Sequence, residues 1–271
     1  MINRIDQKFE EIRREDRKGF VAYLTAGDPD LATTFEVAQT LEKAGVDILE
    51  LGVPFSDPVA DGVVIQMASQ RALESGTTLR KIIARVGEFR RTSQMPIVLF
   101  TYFNPVHQYG LETLLGDAAR AGVDGVLLLD LPPEDAAGAE TLMAQHHLRK
   151  IALIAPTTTP ARAARICAGA GGFIYYISRE GVTGMQSAVN ASLEERVAAL
   201  RVHTPLPIAV GFGVSNAGQA RTVAMSADAV VVGSAIVDCI GRHGKAPDLC
   251  GAVEQFVRPM VAAVRSVKNG G

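Results

Sequence analysis

A chain of 271 residues with 48% apolar and 21% charged side chains has ample material for a large core, and α/β barrels reach this length as one domain. A formal net charge of −2 offers no basic field for nucleic acid, so any phosphate the chain binds is small and held locally. The charged start MINRIDQKFEEIRRED lacks a signal peptide's apolar run, no later stretch approaches the roughly 18 apolar residues of a membrane span, and Cys167, Cys239 and Cys250 show no CxxC spacing; the expectation is a cytoplasmic protein without disulfide framework or zinc site.

Ahead of residue 20 the pattern is that of a polar amphipathic helix. From there a unit recurs eight times: a short run rich in Val, Ile and Leu that ends in small or polar residues, then a stretch with helical spacing. In chain order the runs cover residues 20–25, 47–51, 97–101, 125–129, 151–155, 173–177, 208–211 and 229–232. The helical stretches fall near 31–44, 79–91, 110–121, 134–147, 160–169, 192–203 and 215–226, with a last one after 248. Continuous apolar runs suit strands buried on both faces, as a parallel sheet requires. Gly45 and Gly122 mark helix ends, Thr159-Pro160 a helix start, and Ser192-Leu193-Glu194-Glu195 fits a capping box. The long gap between the second and third runs has room for a further helix over 62–75. Eight units with no residues left for a second domain predict one (β/α)8 TIM barrel spanning 1–271, with an extra N-terminal helix and an extra helix after the second strand.

Chemistry in such a barrel sits at the C-terminal ends of the strands. Glu50 falls there, inside an apolar run, where a carboxylate without a purpose costs several kcal/mol or takes up a proton. Asp57 and Asp61 follow in a loop rich in Pro and Gly, where turn capping alone accounts for Asp57. After the seventh and eighth runs come Gly211-Phe212-Gly213-Val214-Ser215 and Gly233-Ser234-Ala235, and after the sixth Gly181-Val182-Thr183-Gly184. These are glycine loops leading to helix starts, the customary phosphate position of this architecture. GFGVSNAG is not a dinucleotide fingerprint, because its third glycine is misplaced. A Schiff-base lysine is missing from every strand's C-terminal end: Lys8, Lys18, Lys43, Lys81, Lys245 and Lys268 fall on helices or loops and Lys150 at the opposite end of a strand. Among the histidines only His107 follows a strand on the correct side, too few for a metal site. Buried carboxylates beside a phosphate cradle suit proton-transfer chemistry.

At AYLTAGDPD, LELGVPFSDPVADG, YFNPV, DLPPE, YYISREGVTG, GFGVS and VVGSAIV the chain resembles the tryptophan synthase alpha-subunit family, in the right order and over nearly its whole length. The resemblance implies cleavage of indole-3-glycerol phosphate to indole and glyceraldehyde 3-phosphate. It implies that Glu50 is the general acid-base group, that Asp61 holds the indole N–H, and that Tyr175 stands beside Glu50. Tyr23, Phe100, Leu127, Leu129, Thr183 and Phe212 would contact the substrate, and Gly184, Gly213, Gly233 and Ser234 would hold its phosphate. Pro54, Asp57, Pro58, Asn104 and Pro105 match positions at which the family meets its beta subunit in an α2β2 complex. Pyridoxal phosphate would belong to that subunit, leaving this chain without a cofactor. Val63 departs from the family, which has proline after ADG. Two other readings use the same residues: a stand-alone lyase that releases free indole, and a silent barrel that only activates a beta subunit.

Overall fold

The computed structural model describes residues 2–177, 186–211 and 213–269, with the backbone alone for 186–192. Helix α1 (Arg4–Arg14) comes first, capped by the Asn3 side chain on the Ile5 N–H. Among the described residues nine parallel strands follow: β1 (Gly19–Thr25), β2 (Ile48–Gly52), β3 (Ile97–Thr101), β4 (Gly125–Leu128), β5 (Arg149–Lys150), β6 (Ala152–Ile154), β7 (Ile174–Ile177), β8 (Ile208–Gly211) and β9 (Ala229–Val232). They are ordered β5-β4-β3-β2-β1-β9-β8-β7-β6. The two ends of this order are consecutive in the chain: β5 pairs with β4, β6 pairs with β7, and only Ile151 separates them. β5 and β6 are therefore one stave, and the expected eight-stave barrel is what forms.

Side-chain alternation sorts the strands' residues into two cores. In β2, Leu49 and Leu51 face outward to the helices, while Ile48 lies among the barrel-interior residues with Val21, Tyr23, Val98, Phe100 and Leu127. Glu50 has the parity of Ile48 and points inward. Ile5, Phe9 and Ile12 of α1 join that interior cluster and close the barrel's lower end.

The helices are α2 (Leu31–Ala44), α3 (Val63–Glu74), α4 (Leu79–Phe89), α5 (Phe103–Tyr109), α6 (Leu111–Ala121), α7 (Ala137–Gln145), α8 (Pro160–Ala168), α9 (Gln186–Arg201), α10 (Ala217–Ala224), α11 (Ser234–His243) and α12 (Leu249–Arg265). The extra helix after the second strand is α3, with Val63 69% exposed at its first position. Thr159 caps α8 as expected, and Gly45 and Gly122 end α2 and α6 in left-handed conformation. One expectation fails: α9 begins at Gln186, so Ser192 lies inside it and does not cap it. α6 forms where a helix was expected, with the further α5 ahead of it, the two parted by Gly110 at φ 91. α11 begins at Ser234, at the helix start expected after the eighth run, and is a helix of its own ahead of α12. The fourth strand also stops at Leu128, although the Leu129 N–H still reaches the Thr101 carbonyl at 2.9 Å.

At the lower rim one device is used three times. Asp47, Asp124 and Asp228 each precede an even-numbered stave. Each accepts, through its carboxylate, the N–H of Phe20, Ile97 or Ile208 on the stave before it, at 2.9, 2.9 and 2.8 Å. Each also gives its own N–H to the carbonyl of that same residue, at 2.9 Å in all three cases. Arginines complete the clasps: Arg17 on Asp47 at 2.9 Å, Arg90 on Asp124 at 2.7 Å, Arg201 on Asp228 at 2.9 Å. The sixth stave has Phe173 at this position instead, its ring in the barrel floor 5.7 Å from that of Phe9. Among the described residues no helix is long and apolar enough to cross a membrane.

Candidate active site

A cavity of about 370 Å³ opens at the C-terminal ends of the strands. Its wall carries Tyr23, Phe100, Leu129 and Tyr175 from the barrel, Asp61 and Ile65 from the segment after β2, and Gly233 and Ser234 from the start of α11. The rings of Tyr23 and Phe100 meet edge to face with centroids 5.2 Å apart. The shape is a slot of apolar and aromatic surface with a few polar groups, as small-molecule sites are.

Glu50 is fully buried, and among the described residues neither carboxylate oxygen has a hydrogen-bond partner. Desolvation of the charged form pushes its pKa up to about 8, so near neutral pH the group holds a proton. Tyr23 is its register partner across β1 and β2. The Tyr23 and Tyr175 phenols are held well above the usual tyrosine range, chiefly by burial, with the Glu50 charge a further cause for both. Both rings come close to backbone that carries no side chain: a Cβ on Gly52 would collide with the Tyr23 hydroxyl, and one on Gly211 would lie 2.6 Å from the Tyr175 hydroxyl.

Asp61 is placed by its neighbours. Its N–H reaches the Pro58 carbonyl at 3.0 Å, and Gln66 Nε2 donates to its carbonyl at 2.9 Å. Tyr102 Oη donates to its carboxylate at 3.1 Å and accepts the Ala60 N–H at 3.0 Å. Burial raises the Asp61 pKa while the Tyr102 hydrogen bond opposes the rise. Tyr102 is buried, its ring 5.2 Å from that of Phe55, and burial lifts its own pKa to about 12.

Gly233 caps α11 and Ser234 is the helix's first residue. The N–H groups of Ile236 and Val237 turn back to the Gly233 carbonyl, so those before them point out of the helix end. Gly213, at φ +63 with open space where a Cβ would stand, lines a neighbouring cavity of about 550 Å³ that shares Ser234.

Of the residues expected at the site, Asp61, Tyr23, Phe100, Leu129, Tyr175, Gly233 and Ser234 line one cavity. Glu50, the register partner of the lining residue Tyr23, and Leu127 are buried without lining it. Thr183, Gly184 and Phe212 lie outside the described residues. Of the residues matched to an interface, Asp57 and Asn104 are exposed, Pro58 and Pro105 half-buried, and Pro54 buried. Sequence reasoning missed Tyr102, Ile65 and Leu153. Tyr102 directly follows the third apolar run, the one signal that could have found it; Ile65 comes from the inserted helix, whose facing depends on packing.

A sequence profile of the tryptophan synthase alpha chain matches residues 9–265. The chain is 48% identical over 247 residues to the tryptophan synthase alpha chain of Opitutus terrae, covering 91% of this chain and 93% of that one. It is 48% identical over 263 residues to that of Geobacter sulfurreducens, covering 97% and 99%. Among solved structures, the alpha chain from Legionella pneumophila superposes with a TM-score of 0.90 at 36% identity, covering 98% of this chain and 99% of that one. A chain of the tryptophan synthase from M. tuberculosis does so with 0.87 at 31%, covering 98% and 100%. A match along nearly every residue, joined to a barrel whose cavity gathers the family's motif residues, leaves one conclusion: the chain belongs to the tryptophan synthase alpha chain family.

Proposed function

We propose that this chain, as a tryptophan synthase alpha subunit, breaks the carbon-carbon bond of indole-3-glycerol phosphate in the cavity above Glu50. The observation that carries this reading is Glu50 itself, a buried carboxyl with no partner among the described residues, in register with Tyr23 of an aromatic slot that ends in a helix N-terminus. The indole lies among Tyr23, Phe100 and Leu129 with its N–H toward Asp61. The phosphate rests at Gly233 and Ser234, where free N–H groups and the positive end of the helix dipole favour an anion.

Glu50, resting protonated, donates its proton to indole C3. The positive charge that develops on the ring nitrogen is met by the Asp61 carboxylate, which Tyr102 helps to keep ionised. The Glu50 carboxylate then takes the proton of the C3′ hydroxyl. The electrons of the C3–C3′ bond return to the ring as the aldehyde forms, releasing indole and glyceraldehyde 3-phosphate with Glu50 protonated again. The same carboxyl gives and receives, which its pKa near 8 permits on both sides of neutrality.

The partner in this reading is a beta subunit in an α2β2 assembly, met at Pro54, Asp57, Pro58, Asn104 and Pro105. Pyridoxal phosphate belongs to that subunit and no cofactor to this chain. The whole of 1–271 works as one domain in the cytoplasm. The test is indole release from indole-3-glycerol phosphate by the isolated chain and by its mixture with a beta subunit. Glu50→Gln is expected to lose roughly 10²-fold or more. Asp61→Asn should also be slower, and addition of the beta subunit should raise the wild-type rate. Equal rates for all three chains would overturn the roles given to Glu50 and Asp61.

A further inference from the structure

At the opposite end of the barrel a second cavity, of about 560 Å³, lies between α1, α9 and the lower ends of β8 and β9. Phe9, Ile12, Val197 and Pro207 give it apolar walls. Lys18, in the link between α1 and β1, lines it as well and is only 7% exposed. The acidic groups whose charge it feels are Asp228 and Asp16, and both carboxylates are committed: Asp228 Oδ1 to Arg201 at 2.9 Å and Oδ2 to the Ile208 N–H at 2.8 Å, Asp16 to Lys268 at 3.8 Å and the Asn269 N–H at 3.1 Å. Among the described residues the Lys18 ammonium has neither an ion pair nor a side-chain hydrogen bond, and burial lowers its pKa. With its stem buried, Lys18 keeps its ammonium open to the cavity, so an anion entering there meets a cation that no described carboxylate contacts.

The lining sets the chemistry of that anion. Arg13, Lys18 and Arg201 against Glu194 and Asp228 leave one positive charge in excess, which suits a monoanion and disfavours a phosphate dianion. The apolar walls call for a hydrophobic body. We propose that this cavity is a second ligand site, remote from the catalytic one, which takes a small organic carboxylate with an apolar or aromatic body, its carboxylate on Lys18 and its body against Phe9, Ile12, Val197 and Pro207. Because Phe9 and Ile12 also belong to the barrel-interior cluster, a ligand here touches the element that closes the barrel floor and stabilises the folded chain.

The experiment titrates the full chain with phenylacetate, and with phenylacetamide as the uncharged control, following melting temperature and the NMR signals of 13C-dimethylated lysines. Phenylacetate is expected to raise the melting temperature and to move the Lys18 titration to higher pH; phenylacetamide should do neither. Lys18→Met, which keeps the stem and removes the charge, should weaken binding at least about tenfold. It should release indole at the wild-type rate, which also certifies its fold. Ala198→Phe, which fills the rim and keeps Lys18, should block binding too. Equal binding by Lys18→Met, equal binding of the amide, an unmoved Lys18 signal, or no binding at tens of millimolar phenylacetate would each overturn the proposal.

Discussion

Tyr102 holds two consecutive residues, giving its hydroxyl hydrogen to the Asp61 carboxylate at 3.1 Å and taking the Ala60 N–H at 3.0 Å. A single ring at the start of α5 thus fixes the loop after β2 and restrains the charge state of the carboxylate facing the cavity. Tyr102→Phe removes both bonds and keeps the stacking on Phe55. A hydrogen bond of this kind is worth about 1 kcal/mol, so kcat/KM for indole release should fall roughly five- to tenfold. A merely structural ring would leave the pH profile alone. Here the acidic limb should move to higher pH, because the bond that held the Asp61 pKa down is gone. Unchanged kinetics across the pH range would refute the positioning role.

Glu50 should make the protein's stability depend on pH with a definite sign. Its folded pKa, about 8, is above the ordinary 4.5, so the folded chain holds a proton that the unfolded chain releases. The pH-dependent cost of the carboxyl is absent below pH 4 and grows as the pH rises toward 8. Glu50→Gln should therefore match wild type near pH 4 and exceed it at pH 9, by on the order of a few kcal/mol. Denaturant melts at the two pH values measure this; a variant less stable than wild type at pH 9 would show that Glu50 is paired when ionised.

Much of this was legible in the sequence because the signals are local. The staves announce themselves as apolar runs, and Glu50 stands out as a charge inside one of them, at the end where barrels keep their chemistry. The glycine loops followed from the phosphate position that barrels share, whereas Asp61 needed the family resemblance, since a loop aspartate alone reads as a turn cap. What stayed hidden depends on tertiary placement. Tyr102 has no local mark that separates it from other aromatics at strand ends. α9 starts ahead of Ser192, where a capping pattern occurs inside the helix. Lys18 looks like any loop lysine until α1 and α9 close around it.

The bare backbone at Gly52 is part of the slot. Adding a methyl there meets the Tyr23 hydroxyl, and that ring is fixed against Phe100. Gly52→Ala should cost about 1–3 kcal/mol of stability, the scale of an overpacked core. It should also raise KM for the indole substrate by pushing Tyr23 into the cavity. Unaltered stability with wild-type kinetics would mean that the ring yields freely.

The lower rim should be a stability determinant without catalytic weight. Asp124 is 3% exposed and serves Arg90, Arg4 and the Ile97 N–H together. Asp124→Ala leaves Arg90 without its carboxylate in a buried place and should cost about 3–5 kcal/mol. At a temperature where the variant is folded, indole release should persist. A rate loss comparable to that of Glu50→Gln would contradict the separation of the two barrel ends.

A hoop riveted at three points parts where the rivets are missing. Asp47, Asp124 and Asp228 fasten the first stave to the second, the third to the fourth and the seventh to the eighth, while ahead of the sixth stave Phe173 replaces the carboxylate. The seam beside Tyr175 therefore closes without such a rivet. The stave that carries this aromatic wall of the slot is seated on an aromatic ring, while Glu50 stands on a stave fastened at its root by a carboxylate.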